Sequence, residues 1–329
     1  MAILAKGTIV ARGMLMALAL LASGATADAD ATLRVGKAIA GPFDFTPLDV
    51  GMTKGFFHEH GIAIDEVNFA GSAKLQQGLA ASAIDIGLGS GPELAFVAKG
   101  NTDRGIAAFA GPPDGLVLIV RADLVIKTVT DLKGQKISVS TPGGLTDWMV
   151  REVARRQGWG PDGIDVVPLG TDSAQVATML TGSTEGMASD VANAALLEQQ
   201  GKARILLKFG DVVHDFINHV TYATDGMMKN RPDDLRAFLA AWYETIHWMR
   251  GHKDETIKIV APVMEKPPEI AARAYDIVMP CMLDDGHFDP KGLATLARSF
   301  VEMKMLPAEP DMTKLYTEAF LPPATAAAK

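Results

Sequence analysis

Two stretches of this chain, offset by about 100 residues, run through the same succession of strand-like and helix-like segments, and few folds accommodate a doubling on that scale. Leu33–Ala38 (LRVGKA) and Lys136–Ser140 (KISVS) are short β-rich runs. Each is followed by a helix-like stretch closed by glycine: Pro47–His60 before Gly61, and Gly144–Gln157 before Gly158. Ile62–Phe69 alternates as a strand should, and Ile164–Leu169 matches it. Leu75–Ser82 and Ala174–Leu180 are helical and rich in small residues, while Ile84–Leu88 and Gly186–Asp190 read as strands. Pro92–Lys99 and Val191–Gln200 read as helices stopping at Gly100 and Gly201; Ile106–Ala110 and Arg204–Phe209 supply one more strand each. Alternating strands and helices imply β-α-β units and parallel pairing. The expected fold is therefore α/β: two similar lobes with mostly parallel sheets.

Two segments read as crossings between the lobes. Gly111–Gly115 (GPPDG) is dense in turn formers, and Gly210–His219 is polar with no clear element. Val220–Thr224 then reads as a strand, and Pro232–His252 as a long helix with Leu235, Phe238, Leu239, Trp242, Ile246 and Met249 on its core face. Ile257–Met264, Ile270–Met282 and Lys291–Met305 read as further helices, and Pro322–Lys329 as a loose tail. With 48% hydrophobic and 21% charged residues in a length of 329, a globular chain of two domains is expected. The expected division is 28–112 with 216–329 as the first lobe and its C-terminal helices, and 113–215 as the second lobe.

Residues 1–27 read as an address. Lys6 and Arg12 precede the apolar run Met14–Ala22, and Ala25-Thr26-Ala27 gives the small-x-small cleavage pattern of a secretory signal peptide. A membrane span needs about 20 apolar residues, so the expectation is a cleaved, periplasmic protein. Loss of Lys6 and Arg12 takes the formal charge from −8 to −10. Such an acidic chain is a poor partner for nucleic acid, which is bound through clustered Lys and Arg.

In parallel α/β sheets ligands bind beyond the carboxyl ends of the strands. Six loops meet that description: Ile39–Thr46, Ala70–Ala73 and Gly89–Pro92 in the first lobe, and Thr141–Thr146, Gly170–Ser173 and Asp190–Asn193 in the second. Glycine, serine and threonine dominate them, which lets backbone N–H groups and helix N-termini approach a ligand. From these loops Phe43, Asp44, Phe45, Gly91, Asp190 and Asn193 are candidate ligand contacts. Asp44 between two phenylalanines, with Trp148, suits an amine or heteroaromatic ring. Phe43 and Trp148 read equally as core, and Asp190 equally as a helix N-cap.

Over residues 33–220 the chain resembles the solute-binding proteins of ABC importers with the type II periplasmic fold, in the branch serving nitrate, sulfonates, taurine and thiamine-pyrimidine precursors. The residues that carry the likeness are Gly55-Phe56-Phe57, Gly61-Ile62, Gly71-Ser72 and Gln77 to Asp85-Ile86-Gly87, then Leu132-Lys133-Gly134, Val139-Ser140 and Gly143–Thr146. The resemblance implies two lobes that close on a solute and deliver it to a membrane permease, a monomer, and solute contacts from Gly71, Ser72, Ser90, Ser140, Thr141, Gly143, Gly144 and Thr146. Helix N-termini at Gly144 and after Gly71 suit an anionic group, yet the six loops hold no arginine for a multiply charged anion. The expected solute is a small organic anion or zwitterion: a sulfonate, a taurine-like compound or an aromatic acid. A thiamine-precursor pyrimidine is the alternative, and behind it an enzyme of the pyrimidine-synthase type on the same fold.

Catalysis, metal and cofactor are not expected. His58 and His60, two apart on a helix end, do not share a face. The single cysteine, Cys281, excludes cysteine-rich metal sites and the cysteine-rich motif of the pyrimidine-forming enzymes on this fold, and it reads as a buried thiol. Gly41, Gly143 and Gly144 form no phosphate-loop or dinucleotide signature.

Overall fold

A computed structural model of the chain describes residues 30–323. The segment read as a signal peptide lies outside those residues, as does most of the tail.

The doubling is visible in the sheets. In the first, β1 (Ala31–Lys37) lies between β2 (Ile62–Asn68) and β3 (Ile86–Ser90) and is parallel to both, with Ala31 opposite Ile62 and Val35 opposite Ile86. β4 (Asp103–Ala110) forms the far edge. The chain then crosses through residues 111–115 into the second sheet. There β5 (Leu116–Arg121), β6 (Lys136–Val139), β7 (Asp165–Pro168), β8 (Gly186–Asp190) and β9 (Ala203–Lys208) are arranged in the order β7-β6-β8-β5-β9. The return crossing delivers β10 (His219–Thr224) to the first sheet, whose order is β2-β1-β3-β10-β4. Each sheet therefore contains one strand antiparallel to both its neighbours, and in each it is the first strand after a crossing. β5 is the strand that the sequence pattern misses. Its run LVLIVR is central and buried almost throughout, so it lacks the alternation of a strand with one wet face.

The helices are α1 (Pro47–Lys54), α2 (Phe56–Glu59), α3 (Ser72–Ala80), α4 (Leu94–Ala98), α5 (Leu145–Arg156), α6 (Asp172–Leu180), α7 (Val191–Gln199), α8 (Asp225–Asn230), α9 (Pro232–Gly251), α10 (Lys253–Val263), α11 (Pro268–Val278) and α12 (Pro290–Glu302). The single helix expected over Pro47–His60 is two, because Gly55 adopts φ +85° in the left-handed region and turns the chain between α1 and α2. The stretch Pro92–Lys99 likewise opens with a 3-10 turn at Gly91–Glu93 before α4.

The expected core face of α9 is buried as read: Leu235, Phe238, Leu239, Trp242, Ile246 and Met249 are all enclosed. Phe238 stacks on Phe57 of α2 at 5.4 Å, and Trp242 meets Phe109 of β4 edge-on at 5.1 Å. The α9 ends suit its dipole, with Pro232 at the first turn beside Asp233 and Asp234, and Arg250 in the last. Trp148 of α5 packs on Phe216 in the return crossing and donates from Nε1 to Ser299 Oγ of α12 at 2.9 Å. It is a core residue that ties the second sheet's helices to the C-terminal ones, and it does not reach the cavity between the sheets. Cys281 is half-buried rather than buried; its thiol contacts Asp114 Oδ2 at 3.3 Å, and burial with that carboxylate pushes its pKa up to about 12, which disfavours the thiolate.

Candidate functional site

The carboxyl ends of β1 and β3 face those of β6 and β8, and between them lies a cavity of about 60 Å³, room for about four waters. The two sides touch directly above it. Thr141 Oγ1 accepts from the backbone N–H of Ala73 at 3.2 Å, and Gly71 lies so close to Thr141 that a Cβ would sit 2.5 Å from its Cγ2. Gly71 also has φ +109°, so a side chain there is excluded by backbone conformation as well as by space.

The wall carries three carboxylates and no lysine or arginine among its described residues. Asp44, in the 3-10 turn after β1, is 4% exposed, and no described residue donates a hydrogen bond to it. His219 Nε2 lies 3.5 Å from its Oδ1. The other ring nitrogen of His219, Nδ1, lies 3.0 Å from the carbonyl of Gly89, and the ring is stacked on Phe109. Burial holds the imidazole pKa below its ordinary value, so the neutral ring donates from Nδ1 and leaves a lone pair on Nε2.

Across the cavity, Asp190 caps α7. Its Oδ1 accepts from the N–H groups of Ala192 and Asn193 at 2.8 and 3.0 Å. Asn193 Nδ2 donates to both Asp190 Oδ2 and Asp172 Oδ2, each at 2.8 Å. Burial raises the pKa of both carboxyls, and for Asp172 the charge on Asp190 raises it further. Gln175 donates from Nε2 to Gly170 O at 3.3 Å, which leaves its buried Oε1 without a partner; Ser189 Oγ is buried and unpartnered too. Positive potential comes from Lys266, which lies behind Asp172 and Asp190 outside this wall and partly offsets the rise in their pKa, and from the backbone. The first-turn N–H groups of α3 and α5 have no intrahelical acceptor, and these helix starts line the cavity at Ser72, Leu145 and Thr146. Lys37, at the end of β1, is held by Asp49 at 2.7 Å and Glu66 at 3.0 Å and is not part of the wall.

The family described as NMT1/THI5 like matches residues 42–256, well over half of the chain. The chain belongs to that NMT1/THI5-like family. Among curated relatives, YtlA of Bacillus subtilis strain 168, a candidate binding protein, is 27% identical over 232 residues, covering 69% of each chain. Among solved structures, the alkanesulfonate-binding protein SsuA from Xanthomonas axonopodis pv. citri, bound to MOPS, superposes with a TM-score of 0.77 at 18% identity, over 87% of this chain and 98% of that one. The periplasmic nitrate-binding protein NrtA from Synechocystis PCC 6803 superposes with a TM-score of 0.72 at 18% identity, over 88% and 87%. The fold of this NMT1/THI5-like protein is thus that of the periplasmic binding proteins, as its sequence resemblance implies.

Of the residues singled out in the sequence, Asp44, Phe45, Gly71, Ser72, Ser90, Ser140, Thr146 and Asp190 line the cavity. Phe43 does not; it packs edge-on against Tyr275 of α11 at 5.9 Å. Gly91 faces the Ile217 carbonyl, where a Cβ would come within 2.1 Å. Thr141 and Gly144 form the contact between the two sides, Gly143 sits against Phe96 outside it, and Asn193 holds the two aspartates from behind. Asp190 caps α7, one of its two readings, and also lines the cavity. Asp172, Gln175, Ser189 and His219 were not singled out. Asp172 lay within a loop already marked by the parallel-sheet rule; the other three sit inside elements or a crossing and gave no local signal. The His58–His60 pair is surface: His58 meets Asp30 and His60 meets Glu244, and no group of three ligating side chains suited to a metal occurs among the described residues.

Proposed function

We propose that this protein is the periplasmic solute-binding component of an ABC importer, acting without catalysis as a monomer that closes its two lobes on a small organic zwitterion and presents it to a membrane permease. The observation that carries the choice of solute is Asp44, a buried carboxylate with no protein donor, on a wall without lysine or arginine. A bare anion enclosed there would face three aspartates with only helix N-termini to hold it, and burying unpaired charge is costly. A nitrogen bearing hydrogens satisfies the aspartates, and an acidic group at the starts of α3 and α5 meets their N–H groups. The sulfonate- and nitrate-binding proteins of the same fold support the import role and the acidic half of this reading. Among the described residues no helix is long and apolar enough to cross a membrane, in keeping with release into the periplasm.

Calorimetric titration with taurine, ethanesulfonate, β-alanine, nitrate, benzoate and an aminopyrimidine tests the proposal. Taurine or β-alanine should bind saturably, at least about tenfold tighter than ethanesulfonate or nitrate, and at 100 Kd should stabilise the fold by about 2.7 kcal/mol. Tighter binding of the bare anions overturns the zwitterion assignment. Conversion of any of these compounds to a product overturns the assignment as a carrier.

A further inference from the structure

We propose that Glu93, which never touches the solute, fixes what kind of solute is accepted: it takes the one hydrogen of the Ser90 hydroxyl, whose oxygen also accepts from the Glu93 backbone N–H in a capping box, and so leaves that serine facing the cavity with no hydrogen to give. The inference rests on the amine–acid reading above and names the residue that enforces its amine half. Glu93 is fully buried behind the floor formed by Gly89 and Ser90. Its Oε1 accepts from Ser90 N at 2.9 Å and from Ser90 Oγ at 3.0 Å, and its Oε2 accepts from Gln76 Nε2 at 2.9 Å. The orientation of the Gln76 amide is set independently, because its Oε1 accepts from Asn101 Nδ2 at 3.0 Å. Every neighbour of Glu93 in this network is thus a donor pointing at it, which an ionised carboxylate accepts. Gly89 makes the approach possible: a Cβ there would lie 2.6 Å from Glu93 Oε2.

A hydroxyl has a single hydrogen to give. With it committed to Glu93, Ser90 can only accept from a solute. The second lobe reaches the same result with different residues. Asp190 ends β8 as Ser90 ends β3, and Asn193 stands three residues on as Glu93 does. There the inner residue is the donor, Asn193 giving to Asp190, and the outer one is a carboxylate. Gln175 and His219 likewise turn their donors onto backbone carbonyls. From both lobes Ser90, Asp190, Asp44 and His219 Nε2 thus present acceptors to the cavity, and a solute group that donates several hydrogen bonds is what they select.

Two measurements at pH 8, where Glu93 is ionised, test this. Neutron diffraction from the ligand-free protein should place the Ser90 hydroxyl hydrogen on the line from Oγ to Glu93 Oε1; a hydrogen directed into the cavity overturns the assignment. In Glu93→Met the serine is free to turn outward, so the preference for taurine over ethanesulfonate should fall about tenfold through weaker taurine binding. An unchanged preference in a variant with native circular dichroism overturns the selection role. If the wild type binds neither probe, the amine–acid reading fails, and the hydrogen's position alone decides for or against Glu93.

Discussion

Asp44 is the wall carboxylate to which no described residue donates a hydrogen bond. A carboxylate removed from water is normally repaid with hydrogen bonds, and leaving a charged group unsatisfied costs more than leaving a neutral one. Asp44 has only the distant His219 nitrogen. Asp44→Asn keeps the shape, removes the charge and replaces one acceptor with a donor aimed at the solute's nitrogen. Titration with taurine should show affinity lowered by about 10- to 100-fold, while the ligand-free thermal midpoint stays level or rises. Retained affinity would mean the solute does not reach this carboxylate. Asp44 was legible in the sequence because it stands between two phenylalanines in a loop at a strand's carboxyl end. Only one of those phenylalanines reaches the cavity, since a 3-10 turn sends Phe43 and Asp44 in different directions. Gln175 and His219 were illegible for a different reason. Each lies among residues whose pattern is explained by packing alone, and only the facing lobe turns that position into a wall.

Among elements, α5 carries the argument from sequence to closure. Its start was read as an anion site on the strength of glycines and a helix N-terminus, and the helix does begin at Leu145 with Leu145 and Thr146 on the cavity wall. Gly144 itself faces the other lobe: a Cβ there would lie 3.0 Å from both the Ser72 side chain and Thr141 Oγ1. Its φ of −85° suits any residue, and aspartate is a favoured N-cap. Gly144→Asp should therefore fold normally, with a thermal midpoint within about 2 °C of wild type, yet hold the lobes apart and place a charge beside the solute. Titration should show affinity for taurine reduced at least about 100-fold, and small-angle scattering with taurine should show no compaction. Wild-type affinity in this variant would show that closure does not bring Ser72 and α5 together. Elements with one wet face, such as β2, were plain in the sequence, and so were helices closed by glycine. β5 was not, because full burial erases alternation, and the break at Gly55 was not, because a glycine inside a helical pattern is marked by conformation rather than by composition.

At the scale of the whole molecule, the lobes are held by acidic groups that folding makes harder to ionise. Burial pushes Glu93 from 4.5 up to about 7 and Asp103 from 3.8 up to about 7, and it raises Asp172 and Asp190 in the same direction. A carboxyl whose folded pKa is raised binds its proton more tightly in the native state. Its contribution to stability is full below the unfolded value near 4 and is lost as pH climbs through about 7. His219, lowered by burial, works in the opposite sense below its ordinary value, but it is a single group against several, Asp49 among them. The empty protein should be more stable at pH 5 than at pH 8, by an amount on the order of a few kcal/mol. Asp103 lies at the start of β4 and is absent from the cavity wall, and neither of its oxygens has a hydrogen-bond partner at normal distance, although Asn101 and Gln76 stand close enough to hold its pKa down somewhat. Asp103→Asn should leave the cavity wall itself unchanged. It should raise the thermal midpoint at pH 8 by several degrees, at about 2 °C per kcal/mol for a chain of this size, and make little difference at pH 5. Calorimetric scans of both proteins across pH 5 to 8 decide it: parallel pH profiles would show that Asp103 is compensated in solution. A shallower profile in the variant would establish that this fold tolerates buried charge away from its cavity as well as within it, so that destabilisation by pH and selection of a nitrogen-bearing solute have a common origin in carboxylates enclosed without a lysine or arginine in contact.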